Sequence, residues 1–185
     1  MPLVSTDQRY GSVTKLLHWL TVLLVVAQLV LGYGMESFAE SLFEDDSSGS
    51  GGDRVRAGDD QLVFVHAGLG VAVLVLACVR LAWRRATPLP AWSERLSETD
   101  RMVEHWVENV LYLMLFVIPI TGIGLLYLSG EERELADRRE WFPPFDVVGD
   151  DLTLGLHIAG HLTLYVALIL HIGLALWRRT LPRML

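Results

Sequence analysis

Four stretches of this 185-residue chain are apolar for long enough to cross a lipid bilayer: Leu16 to Tyr33, Leu62 to Trp83, Trp106 to Leu128 and Leu152 to Trp177. A spanning helix needs about 20 predominantly apolar residues, and within lipid a helix satisfies its backbone N–H and C=O groups internally. The runs therefore predict an all-α membrane protein, a four-transmembrane-helix bundle in which residues 1–185 form a single membrane domain solvated by lipid. With 52% of residues hydrophobic and 20% charged, the composition excludes disordered and collagen-like chains, and the length and single cysteine exclude a secreted mini-protein. The first run follows Arg9 and Lys15 as a secretory signal would. It is longer than the apolar region of a signal and carries His18, Trp19 and Gln28, so it reads as a retained span.

The connecting segments separate by charge. Residues 36–61 hold eight acids against Arg54 and Arg56, and residues 129–151 hold eight against Arg133, Arg138 and Arg139. At the other ends of the spans, basic residues dominate: Arg9 and Lys15, then Arg80, Arg84, Arg85, Arg95 and Arg101, then Arg178, Arg179 and Arg183. Positively charged loops stay inside, so both termini and residues 84–105 are expected in the cytoplasm and the two acidic outer loops, 36–61 and 129–151, outside. The net charge of −7 thus belongs to the outer face, and no nucleic-acid partner is expected. The SSGSGG stretch at 47–52 has the composition of a mobile linker. Trp141 with Pro143 and Pro144 predicts a more fixed segment near the headgroups, and Pro119 with Gly122 and Gly124 predicts a kink in the third span.

Five of the six histidines, His18, His66, His157, His161 and His171, fall inside the apolar runs. Such groups are costly in lipid and tend to be functional. His157 and His171 are fourteen residues apart. On a helix this is about 21 Å, and about 40° short of whole turns, so both rings leave the same side of the fourth span near opposite membrane faces. His18 enters its span at the depth of His171, and His66 at the depth of His157. The reading is two histidine pairs, His18 with His171 inside and His66 with His157 outside. His161 competes with His157 but lies nearer mid-membrane; its expected role is a hydrogen bond or a contact beside the outer pair.

Two histidines filling both axial positions of an iron leave no position open for dioxygen, so the metal passes electrons with little rearrangement. The chain's single cysteine, Cys78, rules out the C-x-x-C-H attachment, so the expected cofactors are two noncovalent haem b groups. The small residues Ala67, Gly68, Gly70, Ala159, Gly160, Gly173 and Ala175 near the histidines are expected to let a flat ring approach the backbone.

These residues carry a resemblance. TKLLHWL at 14–20, FVHAGLGVAVLVLACVRL at 64–81, HWVENVLYLMLFVIPITGIGLLY at 105–127 and the LH pairs at 156–157 and 170–171 resemble the four-span bacterial cytochrome b561 family over nearly the whole chain. The smaller members of that family are diheme membrane proteins that exchange electrons with quinone, and at least one is a superoxide oxidase that delivers electrons to ubiquinone. The resemblance implies a multi-pass protein of the bacterial inner membrane, with haem iron ligands at His18, His66, His157 and His171 and quinone as substrate or bound ligand.

At the quinone end, His105 and Glu108 are three apart at the start of the third span and are candidate proton sources; Lys15 and Arg80 are candidates to neutralise haem propionates or orient the quinone. The acidic outer loops slow the approach of an anion such as superoxide and favour a basic soluble electron-transfer protein as the outer donor. Two other functions are carried beside this one: a haem-bearing membrane anchor linking a larger dehydrogenase or hydrogenase complex to quinone, and a metal or proton transporter using the membrane histidines. The transporter requires its histidines to converge at one midplane site.

Overall fold

The computed structural model describes residues 3–6, 9–43, 51–128 and 150–184. Within them the chain forms α1 (Ser12–Phe43), α2 (Gly51–Ala86), α3 (Glu98–Leu128) and α4 (Asp150–Trp177), followed by a 3-10 turn, Leu181–Arg183. Leu and Val are the commonest residues of the four helices taken together, and Pro119 of α3 is the one proline inside a helix among the described residues. Four segments are long and apolar enough to cross a membrane: Ser12–Gly32, Leu62–Ala86, Glu98–Leu126 and Leu152–Trp177. This is a multi-pass membrane protein. Its outward surface is apolar, with Ile169 70% and Trp177 72% exposed, as a bundle dissolved in lipid requires.

The helices run past the apolar blocks. Residues 36–43 continue α1 and residues 51–61 open α2, so the first acidic connection, expected as a loop over 36–61, is helical at both its ends. Gly51 and Gly52, read as part of a linker, begin α2. The remainder of the 47–52 stretch, Trp141, Pro143 and Pro144 lie outside the described residues. Helix α3 is continuous through Pro119. The Thr121 hydroxyl donates to the carbonyl of Val117 (2.8 Å) or Ile118 (3.0 Å) beside the position where proline has no N–H to give.

The termini meet at one end of the bundle. Trp19 Nε1 donates to the Met184 carbonyl at 2.9 Å, and Arg183 Nη2 to the Ala91 carbonyl at 2.7 Å. Helix α3 starts with a reciprocal cap: Ser97 Oγ accepts from the Asp100 N–H at 3.2 Å, and Asp100 Oδ2 accepts from the Ser97 N–H at 2.9 Å. The same carboxylate pairs with Arg178 at 2.7 Å, tying the end of α4 to the start of α3. Helix α4 ends as a Schellman motif, in which the Thr180 N–H reaches the Ala175 carbonyl at 2.9 Å and Arg179 takes φ 53°, a position usually filled by glycine.

Helix α1 packs on α2, α2 on α3, and α3 on α4. Val73, Ala77 and Leu115 form the buried centre, flanked by Leu24, Val25 and Phe116. Helices α1 and α4 instead face each other across open space, which His18 and His171 line.

Candidate functional site

Among the described residues, a cavity lies toward each end of the bundle. The one at the end carrying the termini has a volume of about 400 Å³ and is lined by His18 of α1 and His171 of α4. The other has a volume of about 240 Å³ and is lined by His66 of α2 with His157 and His161 of α4. Fourteen residues of helix put His157 and His171 in different cavities, as the helical rise requires.

In the larger cavity the His18 and His171 rings face each other with centroids 6.4 Å apart and planes inclined at 56°. Around them the polar groups divide by charge. Arg80 Nη2 stands 3.5 Å from His18 Nδ1, and Glu104 Oε1 stands 3.2 Å from His171 Nδ1. Arg84 donates to Glu108 Oε2 at 2.8 Å, and the guanidinium carbons of Arg80 and Arg84 lie 5.4 and 5.7 Å from the Tyr112 ring centre. Tyr10, just before α1, closes this side. Burial, with Glu108 nearby adding to it, raises the Tyr10 phenol above its usual pKa, so it keeps its proton.

The smaller cavity has a defined tautomer. Thr121 has one hydroxyl proton, and its near carbonyls are the acceptors for it, so its oxygen accepts from His157 Nδ1 at 3.0 Å. The lone pair of His157 is therefore on Nε2. His161 Nε2 lies 3.3 Å from it and donates to it, with the two ring centroids 4.8 Å apart. His66 Nδ1, His161 Nδ1 and Gln28 Oε1 are enclosed without a hydrogen-bond partner among the described residues.

Two glycines hold these rings close to neighbouring helices. A Cβ on Gly32 would stand 3.2 Å from His66 Cε1, and one on Gly122 would stand 3.1 Å from His157 Cε1. The small residues expected to make room behave differently from one another. Ala67 and Gly70 line the smaller cavity and Ala175 the larger. Gly160 serves a helix contact instead, against Ile118, and Gly68 and Gly173 face open space.

Of the expected site residues, His18, Arg80, Glu108 and His171 come together at one cavity, and His66, His157 and His161 at the other. His105 is exposed, and neither it nor Lys15 lines either of these two cavities. The sequence reading missed Glu104, Arg84 and Tyr112 at the larger cavity, and Gln28, Gly32 and Thr121 around the smaller. Gln28 and Thr121 carry a signal in the sequence, as polar residues in the middle of apolar runs; Glu104 carries one in its depth, near that of His171.

The chain is 26% identical over 133 residues to cytochrome b561 homolog 2 of Escherichia coli K12, covering 71% of this chain and 62% of that protein. It is 27% identical over 123 residues to the probable superoxide oxidase CybB of Yersinia pestis, covering 66% of this chain and 61% of that one. It thus spans about three-fifths of the length of each of these relatives. The family profile of prokaryotic cytochrome b561 matches residues 9–185, nearly the whole chain with both histidine cavities, and so the chain belongs to the prokaryotic cytochrome b561 family, which implies haem b.

Proposed function

We propose that this protein is a diheme cytochrome b that carries electrons across the membrane between a one-electron donor outside and a quinone. The observation that carries the reading is the facing of His18 and His171 at 6.4 Å between ring centres. With about 2 Å from metal to nitrogen and about 1 Å from nitrogen to ring centre, two imidazoles on opposite sides of one iron have centroids about 6 Å apart. His18 and His171 would hold one haem in the larger cavity. His66 and His157 would hold the other. His157 already presents the Nε2 lone pair, while His161 Nε2 carries a proton, which favours His157 as the ligand and makes His161 the neighbour that turns aside.

Bound haem b supplies reversible one-electron chemistry. The chain supplies the rest. Arg80, lining the larger cavity beside His18, would suit the anionic edge of the macrocycle. Tyr10 keeps its proton and lies with the Arg84–Glu108 pair on the same cavity wall, a set able to orient a quinone and protonate its oxygens. His105, being exposed, stands apart from that set.

The charge pattern supports a cytoplasmic location for the end carrying the termini, in a bacterial inner membrane. The acidic connections 36–61 and 129–151 favour a basic electron-transfer protein as donor. The relative described as a probable superoxide oxidase makes superoxide the first small donor to assay. Histidines in two cavities, rather than at one central site, favour this reading over a transporter. Haem content and the reduced-minus-oxidised spectrum of the purified protein test it. Two noncovalent haems per chain are expected, and fewer than two refutes it.

A further inference from the structure

The four histidines proposed as ligands differ in what stands beside the second ring nitrogen. His157 Nδ1 gives its proton to the neutral Thr121 hydroxyl, and His66 Nδ1 has no hydrogen-bond partner among the described residues. His18 Nδ1 faces the Arg80 cation at 3.5 Å. His171 Nδ1 alone faces an anion, Glu104 Oε1, at 3.2 Å. Glu104 comes from α3, the helix that contributes none of the four histidines, and its side chain is 15% exposed, so water screens it little. The approach is a close contact rather than an aligned hydrogen bond, and His171 Nδ1 makes no hydrogen bond elsewhere among the described residues. A small rotation of either side chain completes the bond.

We infer that Glu104 is the positioning residue of the haem at His171: it accepts a hydrogen bond from the Nδ1–H of that ring and thereby lowers the reduction potential of this haem. The inference rests on the two-haem reading. A ligating imidazole that donates its second N–H to a carboxylate is held in one tautomer and one orientation, and its metal-binding nitrogen becomes more basic. Greater basicity stabilises the ferric ion, with its extra positive charge, more than the ferrous ion. Nearby Asp100 cannot play this part, because its carboxylate is already committed to Ser97 and Arg178. Glu108, one turn further along α3, is committed to Arg84.

The test is an optical redox titration of the full-length protein carrying Glu104→Gln or Glu104→Asp, together with haem content and the ferric electron paramagnetic resonance spectrum. Glu104→Gln should keep two haems per chain and favour reduction of one of them about tenfold, which is about 59 mV for a one-electron couple. The other haem should be unmoved, and the ferric signal of the affected haem should change. A His66→Ala background, which should retain only the haem at His171, identifies the one affected. Two haems with both potentials and the ferric spectrum unchanged in Glu104→Gln overturns the inference and leaves the two-haem reading intact. Fewer than two haems in the unaltered protein overturns the reading itself, and the inference with it. If Glu104→Gln loses a haem, Glu104→Asp decides: a retained haem near the original potential supports the assignment, and loss there overturns it.

Discussion

Gly122 offers the sharpest test of how the smaller cavity is built. A Cβ at this position would stand 3.1 Å from His157 Cε1, 3.6 Å from Nδ1 and 3.9 Å from Nε2. The first of these is closer than ordinary carbon–carbon contact, about 3.5–4.0 Å, so Gly122→Ala pushes the ring away by roughly 0.5 Å. The ring is also held by Thr121, one residue earlier on the same helix, at 3.0 Å. It therefore cannot move off α3 without stretching that bond. Overpacking of this kind costs about 1–3 kcal/mol, against about 1 kcal/mol gained when alanine replaces glycine in a helix. The net effect on folding is about 0–2 kcal/mol, but the displaced group is the proposed ligand. A penalty of about 1–2 kcal/mol at the ligand weakens haem retention there by a factor of about 5–30. The assay is haem occupancy during dilution in detergent, with each haem followed by its spectrum. Gly68→Ala, where nothing lies within 4 Å of the new Cβ, is the matched control. Equal retention of both haems in Gly122→Ala and Gly68→Ala refutes the claim that this glycine seats the His157 ring.

Other substitutions separate the remaining assignments. His161→Ala should keep both haems whereas His157→Ala loses one, as counted by haem per chain; the reverse pattern would exchange their roles. Glu108→Gln leaves the Arg84 guanidinium, now paired at 2.8 Å, without its anion. It should lower stability by about 1–3 kcal/mol in a thermal unfolding scan and raise the KM for quinone, with both haem spectra unmoved. Arg179→Gly relieves a side chain held at φ 53° and should stabilise the end of α4 by about 1 kcal/mol, read as a higher Tm, with no change in haem content.

The four spans, the two depths of histidine and the matching of His18 with His171 are all legible along the chain. They depend on local quantities: the length of an apolar run, the rise of a helix and the distance of a residue from the end of its span. Helix ends were less legible, because α1 and α2 continue into acidic sequence that the apolar runs do not mark. What only the tertiary structure decided is the rotation of each helix about its own axis. His105 and Glu108 are three apart and were expected to share a face, yet the inward face at the start of α3 carries Glu104 and Glu108, four apart, and leaves His105 exposed. No residue pattern in α3 alone sets that rotation, since it is fixed by packing against α2 on one side and α4 on the other. The same packing puts Thr121 under one imidazole and Glu104 beside another. Sequence thus determined which histidines share a depth in the bundle, and the rotation of α3 against α4 determined which neighbours stand beside them.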